Sequence, residues 1–257
     1  ADRFFLGCFE GSVFDGGLLL NGAGDSLNVT GCTFTGVNEA VALVQTTELS
    51  PGASGPSSMF VFERNNSTAN KGVYIIDAQS PKICNNNLEC GSGPGAGGEQ
   101  ALVSILGQAK RIFGAEVTGN AILHAPNCTT GVFLGNTDGA LVENNIFGIA
   151  ATGYAIVVSP DAKNARIGFN TYQPTGTGRE VQDLGVGTKG VLKNATLLSG
   201  WSNVDGLEQA RFIKGLDGVV RLSGIIGGGT VTFGTELFAL PGGFRPKNRQ
   251  FFSTYGF

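Results

Sequence analysis

A phrase of ten residues recurs along this chain. Its clearest copies are Asp77-Ala78-Gln79-Ser80-Pro81-Lys82-Ile83-Cys84-Asn85-Asn86 and Asp161-Ala162-Lys163-Asn164-Ala165-Arg166-Ile167-Gly168-Phe169-Asn170, which place acid, apolar, basic, apolar and amide side chains in the same order. The frame after the basic residue is apolar, x, small or Asn, x, x, apolar. It also fits Phe9 to Phe14, Val29 to Phe34, Val117 to Ile122 and Val142 to Phe147, with weaker copies beginning at Phe62 and Val191. The first apolar residues form a series of anchors: Phe9, Val29, Phe62, Ile83, Val117, Val142, Ile167 and Val191.

Most steps in that series are roughly 20 to 25 residues, the repeat length of solenoids, whose units bury their apolar faces only against their neighbours. The longer steps, Val29 to Phe62 and Ile83 to Val117, contain Gly/Ser/Pro runs at 50–58 and 91–98 that read as inserted loops. No stretch has the three-to-four spacing of an amphipathic helix. Short β-type runs recur instead before the later anchors: Val73 to Ile76, Leu102 to Leu106, Val132 to Leu134 and Ala155 to Val158. Two or three short strands per unit, joined at Gly and Asn corners, make one turn of a right-handed parallel β-helix. About eight turns are expected over residues 1–200, a stack of roughly 38 Å at the interstrand spacing. Asn86, Asn120, Asn145 and Asn170 share one frame position, and Asn65 extends it, so their amides are expected to bond from turn to turn.

Composition suits one continuous apolar core: 42 Gly and 18 Phe against 4 Tyr, with 17 basic and 20 acidic residues for a net charge of −3. No basic cluster suggests nucleic-acid binding, and no apolar run is long enough for membrane insertion. The cysteines are Cys8, Cys32, Cys84, Cys90 and Cys128. They form no metal-binding spacing with one another or with the single histidine, His124, so no metal and no cofactor are expected, and the thiols read as reduced and mostly buried.

The chain enters its first unit without a polar cap, as a segment of a longer protein or one that meets a partner at this end would. Past about residue 200 the pattern changes. Trp201 to Gly206 is turn-rich, Leu207 to Lys214 reads as a short helix or irregular connector, and strands are expected over Gly218 to Ile225 and Thr230 to Phe233. Residues 201–257 therefore read as a second, small antiparallel, sandwich-like β module, expected to be incomplete at Phe257 and too small for a secure core of its own.

Two runs of that module carry a resemblance. Val219-Val220-Arg221-Leu222-Ser223-Gly224, followed by a glycine turn and Leu240-Pro241-Gly242-Gly243-Phe244-Arg245-Pro246, resembles the carboxy-terminal modules of bacteriophage tail fibres and tailspikes. The match covers about the last forty residues. The order, parallel β-helix first, is the one common in phage tailspikes. The resemblance implies a homotrimer in the virion tail, joined to other tail proteins through a preceding segment and acting on a polysaccharide or other receptor at the host-cell surface. Frequent Phe and Gly-rich corners suit buried inter-chain surfaces, although stacking inside each coil is the favoured reading for any one phenylalanine.

Many such spikes cleave polysaccharide, which calls for two carboxyl groups about 5 to 5.5 Å apart for retention or 6.5 to 9.5 Å for inversion. The best candidate catalytic pair is Glu116 and Glu143, which flank successive anchors and point outward on adjacent coils, about 8 Å apart. The competing reading is a surface charge ladder with Lys82 and Arg166. Asp77 and Asp161 share a frame position three coils apart, too far for one glycosidic bond. Asp138 and Asp161 are expected to align in adjacent coils, with turn capping the favoured role. Tyr74, Tyr154 and Tyr172 are the coil tyrosines open to a lyase. No cluster of aromatics beside acids is evident for sugar stacking. A receptor-binding adhesin is therefore the favoured function, with a polysaccharide depolymerase and a structural virion or bacterial-surface rod as alternatives.

Overall fold

A computed structural model describes residues 7–21, 27–36, 40–45, 60–68, 71–89, 101–108, 110–123, 128–149, 153–174, 179–206, 209–230, 232, 235–241, 244 and 245. Both expected inserted loops, together with Cys90 and His124, lie outside them. Among the described residues there is no helix, and most strands belong to three parallel sheets of seven strands each.

Each repeat adds one strand to every sheet. The first sheet contains Gly7–Glu10, Leu27–Thr30, Val61–Glu63, Lys82–Cys84, Glu116–Thr118, Leu141–Glu143 and Arg166–Ile167. Its pairings place Phe9, Val29, Phe62, Ile83, Val117, Val142 and Ile167 in one unbroken row. Seven of the eight anchors thus fall into register, and the two long insertions do not shift it. The second sheet runs from Val13–Asp15 to Thr171–Pro174, with an inward row of Phe14, Phe34, Ser67, Leu88, Ile122, Phe147 and Tyr172. The third runs from Leu18–Asn21 to Arg179–Asp183 and carries the parallel rows Val73, Val103, Val132, Ile156 and Ile75, Ile105, Leu134, Val158. Those eight side chains are fully buried, because each alternate residue of a strand faces inward and finds its equivalent one rung away.

The turn from first to second sheet is tight. Its first residue is Gly11, Gly31, Arg64, Asn85, Gly119 or Asn144, each in the left-handed region with φ between 55° and 69°. The next residue from the third repeat onward is Asn65, Asn86, Asn120, Asn145 or Asn170, all buried. The left-handed residue therefore precedes the ladder asparagine. Asn86 Nδ2 and N donate to Asn120 Oδ1 at 2.9 and 3.0 Å, Asn120 does the same to Asn145 at 2.9 and 3.0 Å, and Asn145 to Asn170 at 3.0 Å in both bonds. Asn65 joins from the other end, donating to Asn86 Oδ1 at 2.8 and 3.1 Å. Each Nδ2 also donates to an anchor carbonyl, as Asn120 does to Ile83 O at 2.9 Å and Asn145 to Val117 O at 2.9 Å.

Several aromatic rings pack against one another along the second sheet's inward row. Phe14 stacks on Phe34 with ring centroids 5.0 Å apart, Phe34 meets Phe62 at 5.6 Å, and Phe147 stacks on Tyr172 at 5.7 Å. These phenylalanines are accounted for within one chain. Of the described cysteines, all free, Cys32 and Cys128 are buried, Cys84 is half-buried and Cys8 is exposed.

The chain divides into two compact units, Ala1–Thr188 and Lys189–Phe257, rather than at 200/201. The physical reason is the eighth anchor. Val191 does not stack on Ile167; the strand beside it, Leu192–Asn194, pairs antiparallel with Arg211–Lys214 instead. Arg211–Lys214 then pairs with Val220–Ser223, so part of the expected helix or connector is a strand. Two further antiparallel pairs are Thr196–Leu197 with Phe238–Ala239 and Ser202–Asn203 with Ile226–Gly227. No strand forms at the described residues of the expected Thr230 to Phe233 run. The second unit centres on Phe212 and Phe244, both buried, in edge-to-face contact at 5.0 Å.

Replacing Asn120 with Ala would strand the Asn86 donors and the carbonyl of Ile83 in the interior. We expect a loss of about 3 kcal/mol, since each buried unpaired group costs about 1 to 3 kcal/mol. Asn87→Ala, which removes an exposed amide contact to Asn66, should stay within about 0.5 kcal/mol of the parent. Urea unfolding of both variants measures the difference.

Candidate functional site

Residues on either side of each anchor point outward, so the first sheet's outer surface carries two rows. One contains Val61, Lys82, Glu116, Leu141 and Arg166; the other contains Glu63, Cys84, Thr118 and Glu143. Glu116 pairs with Leu141 and Thr118 with Glu143, so the two candidate acids stand one rung and two residues apart, as expected. That offset is about 8 Å between backbone positions.

Their carboxylates turn away from each other. Glu116 Oε2 lies 3.2 Å from Lys82 Nζ on the preceding repeat. Glu143 leans over the following repeat, where a Cβ on Gly168 would stand 2.7 Å from Glu143 Oε2. The Lys82 half of the expected charge ladder is present; among the described residues no ion pair joins Arg166 to Glu143. Cys84, between Glu63 and Thr118 in the second row, has its thiol pKa raised first by burial and then by the Glu63 carboxylate, which disfavours a reactive thiolate.

Tyr172 offers no better base. Tyr172 is the inward residue of the last second-sheet strand, and burial pushes its pKa up to about 12, with Glu180 adding to the shift and a hydrogen bond with Asn170 opposing it. A general base poised near neutral pH requires the opposite shift.

A second outward strip forms where the third sheet turns into the first. Ile112–Phe113 pairs in parallel with Thr137–Asp138, and Lys163 bridges Asp138 on one side and Val186 on the other. Inward residues Ala78, Ile112, Thr137 and Ala162 are buried, which turns Gln79, Phe113, Asp138 and Lys163 outward in successive repeats. Phe113 is 54% exposed and lies directly beside Asp138.

The backbone beneath Phe113 is held on both sides. Its N–H donates to Gln79 Oε1 at 3.1 Å, its carbonyl accepts from Ser80 N at 2.9 Å, and Gln79 Nε2 donates to Arg111 O at 2.9 Å. Asp138 Oδ1 accepts from Asn164 Nδ2 at 2.8 Å, while Asp138 Oδ2 is 3.8 Å from the Arg111 guanidinium. Arg111 Nε is in turn bonded to Asn136 Oδ1 at 3.1 Å.

No protein-family model, curated protein or solved structure matches the chain. Its chemistry must be read from its own residues.

The expected alignment of Asp138 with Asp161 does not occur. The third sheet's register, Leu134 with Val158, would already set Asp138 level with Ala162, and the turn at Ser159 to Ala162 absorbs one further residue, so that Asp138 meets Lys163. Asp161 instead caps that turn. It accepts from Ser159 Oγ and from Asn136 N, and the serine hydrogen bond is the largest cause of its lowered pKa. Asp77 likewise accepts from Lys110 N at 3.2 Å, three repeats from Asp161. No group of three or more His, Cys, Asp or Glu residues suited to a metal ion occurs among the described residues, and no helix there is long and apolar enough to cross a membrane.

Sequence reasoning missed Phe113 beside Asp138, although the signal was present. Gln79, Phe113, Asp138 and Lys163 each stand four residues before an anchor. Carrying the frame backward would have put the aromatic next to the acid.

Glu116→Gln should change stability by less than about 1 kcal/mol, because its ion pair with Lys82 is about half exposed; thermal unfolding checks this. The phenol of Tyr172 should titrate near 12 in a spectrophotometric alkaline titration compared with Tyr172→Phe. Since the folded pKa lies above the unfolded value of about 10, its stabilising contribution is complete below pH 10 and is lost as pH rises toward 12.

Proposed function

We propose that this chain is a segment of a bacteriophage tail fibre or tailspike that binds a host-surface glycan without cleaving it. In this reading the three parallel sheets wind as a right-handed parallel β-helix, three copies associate into a homotrimer, and the protein acts from the virion tail at the host-cell surface. The tail assignment is supported by the order of a parallel repeat stack and an antiparallel unit bearing the Leu240 to Pro246 run. Phe244 of that run is a buried pillar of its unit, which gives the resemblance a packing role.

The observation that carries binding over cleavage is the divergence of Glu116 and Glu143. Hydrolysis with inversion needs an acid on the leaving oxygen and a base on a water across the same bond. Here one carboxylate is held by Lys82 and the other rests against Gly168, on opposite sides of the pair. A rigid stack with fixed outward rows suits recognition, because little ordering of the surface is needed on binding.

The test is the native mass of the protein, before and after mild SDS without boiling, together with incubation on host polysaccharide. We expect a detergent-resistant trimer that adsorbs to the polysaccharide and leaves its chain length unchanged. A clean monomer would remove the tailspike assembly, and shortening of the polysaccharide that disappears in Glu116→Gln or Glu143→Gln would replace binding by catalysis.

A further inference from the structure

The geometry points to the strip of Phe113, Asp138 and Lys163 as a subsite for a neutral pyranose residue. The assignment rests on the reading that the receptor is a glycan, and it names where on the repeat stack the sugar sits and what class of sugar fits.

Phe113 supplies the stacking surface. It is the only large apolar side chain of its row in the repeats from Gln79 to Lys163, and more than half of it faces water. An exposed ring offers its electron-rich face to the weakly positive C–H groups on one face of a pyranose. The ring's base cannot swing away, because Gln79 and Ser80 pin the Phe113 amide and carbonyl. The ordering cost of presenting it is thus met by the fold before any ligand arrives.

Beside the ring stand an acceptor and a donor. A sugar hydroxyl both donates and accepts, so two vicinal hydroxyls are matched by a carboxylate next to an ammonium group. Asp138 is one rung from Phe113, and Lys163 is one rung further, about 10 Å from the ring's backbone position across two interstrand spacings. The Arg111 and Asn164 contacts orient Asp138. Among the described residues Lys163 makes no ion pair, which leaves its ammonium group available.

Charge decides between neutral and acidic sugars. The charged side chains of this corner are three cations, Lys110, Arg111 and Lys163, and three carboxylates, Asp77, Asp138 and Asp161. They sum to zero, and Asp138 sits between the ring and Lys163, where a ligand carboxylate would be repelled. An uncharged sugar loses nothing to that field.

The experiment uses the full chain and neutral oligosaccharides of glucose, galactose, mannose and rhamnose, with matching hexuronate oligomers, read by saturation-transfer NMR and titration calorimetry. We expect binding of a neutral oligomer with saturation concentrated on one ring face. Phe113→Ala, a change at an exposed side chain, should weaken it about tenfold, and Lys163→Met should weaken it by a similar factor. Lys82→Gln, on the first sheet's outer face, should leave it unchanged. Full binding by Phe113→Ala would overturn the subsite while leaving a glycan receptor in place. Preference for a hexuronate would overturn the neutral assignment. No binding by the parent to any oligosaccharide, together with no adsorption to host polysaccharide, would overturn the glycan reading and the subsite with it.

Discussion

Parallel stacking in register is the constraint on which this chain depends. Every buried row works only if a residue meets its equivalent one rung away, and the asparagine ladder makes a slip costly. Asn86, Asn120 and Asn145 each bond both forward to the next amide and back to an anchor carbonyl. A slip of one residue would leave those groups buried and unpaired while turning the anchor row toward water. The ladder and the apolar rows therefore enforce the same register by independent physics.

That constraint explains how the surface can vary. Once the inward rows and corners are fixed, outward positions are free to differ, and they do: Val61, Lys82, Glu116, Leu141 and Arg166 follow one another in a single row. The long insertions are accommodated for the same reason, since the strands on either side of them stay in register. The stack ends where an inward position stops being apolar. Asp183 follows Val158 in its row and accepts from Gly185 N at 3.0 Å and Thr188 Oγ1 at 2.9 Å. A carboxylate so tied cannot receive another apolar rung, and after one more parallel bridge at Val186 the chain passes to antiparallel pairing at Leu192.

The second unit is organised on a smaller scale. Phe212 and Phe244 meet edge to face, and the Lys193 and Lys214 ammonium groups lie 5.2 and 6.0 Å from the Phe244 ring centroid. Cations over the ring add to the apolar contact. Gly229 packs so closely on the Trp201 indole that a Cβ there would overlap it, which gives the sole tryptophan a structural role.

The sequence by itself determined the repeat, its register over seven anchors, the asparagine ladder and the outward placement of Glu116 and Glu143. It could do so because periodic burial leaves a periodic record in residue type. Only the tertiary structure decided that Val191 leaves the stack and that the Glu116 and Glu143 carboxylates diverge. Those outcomes turn on side-chain direction and on strands pairing across distant sequence. None of these leaves a period to read.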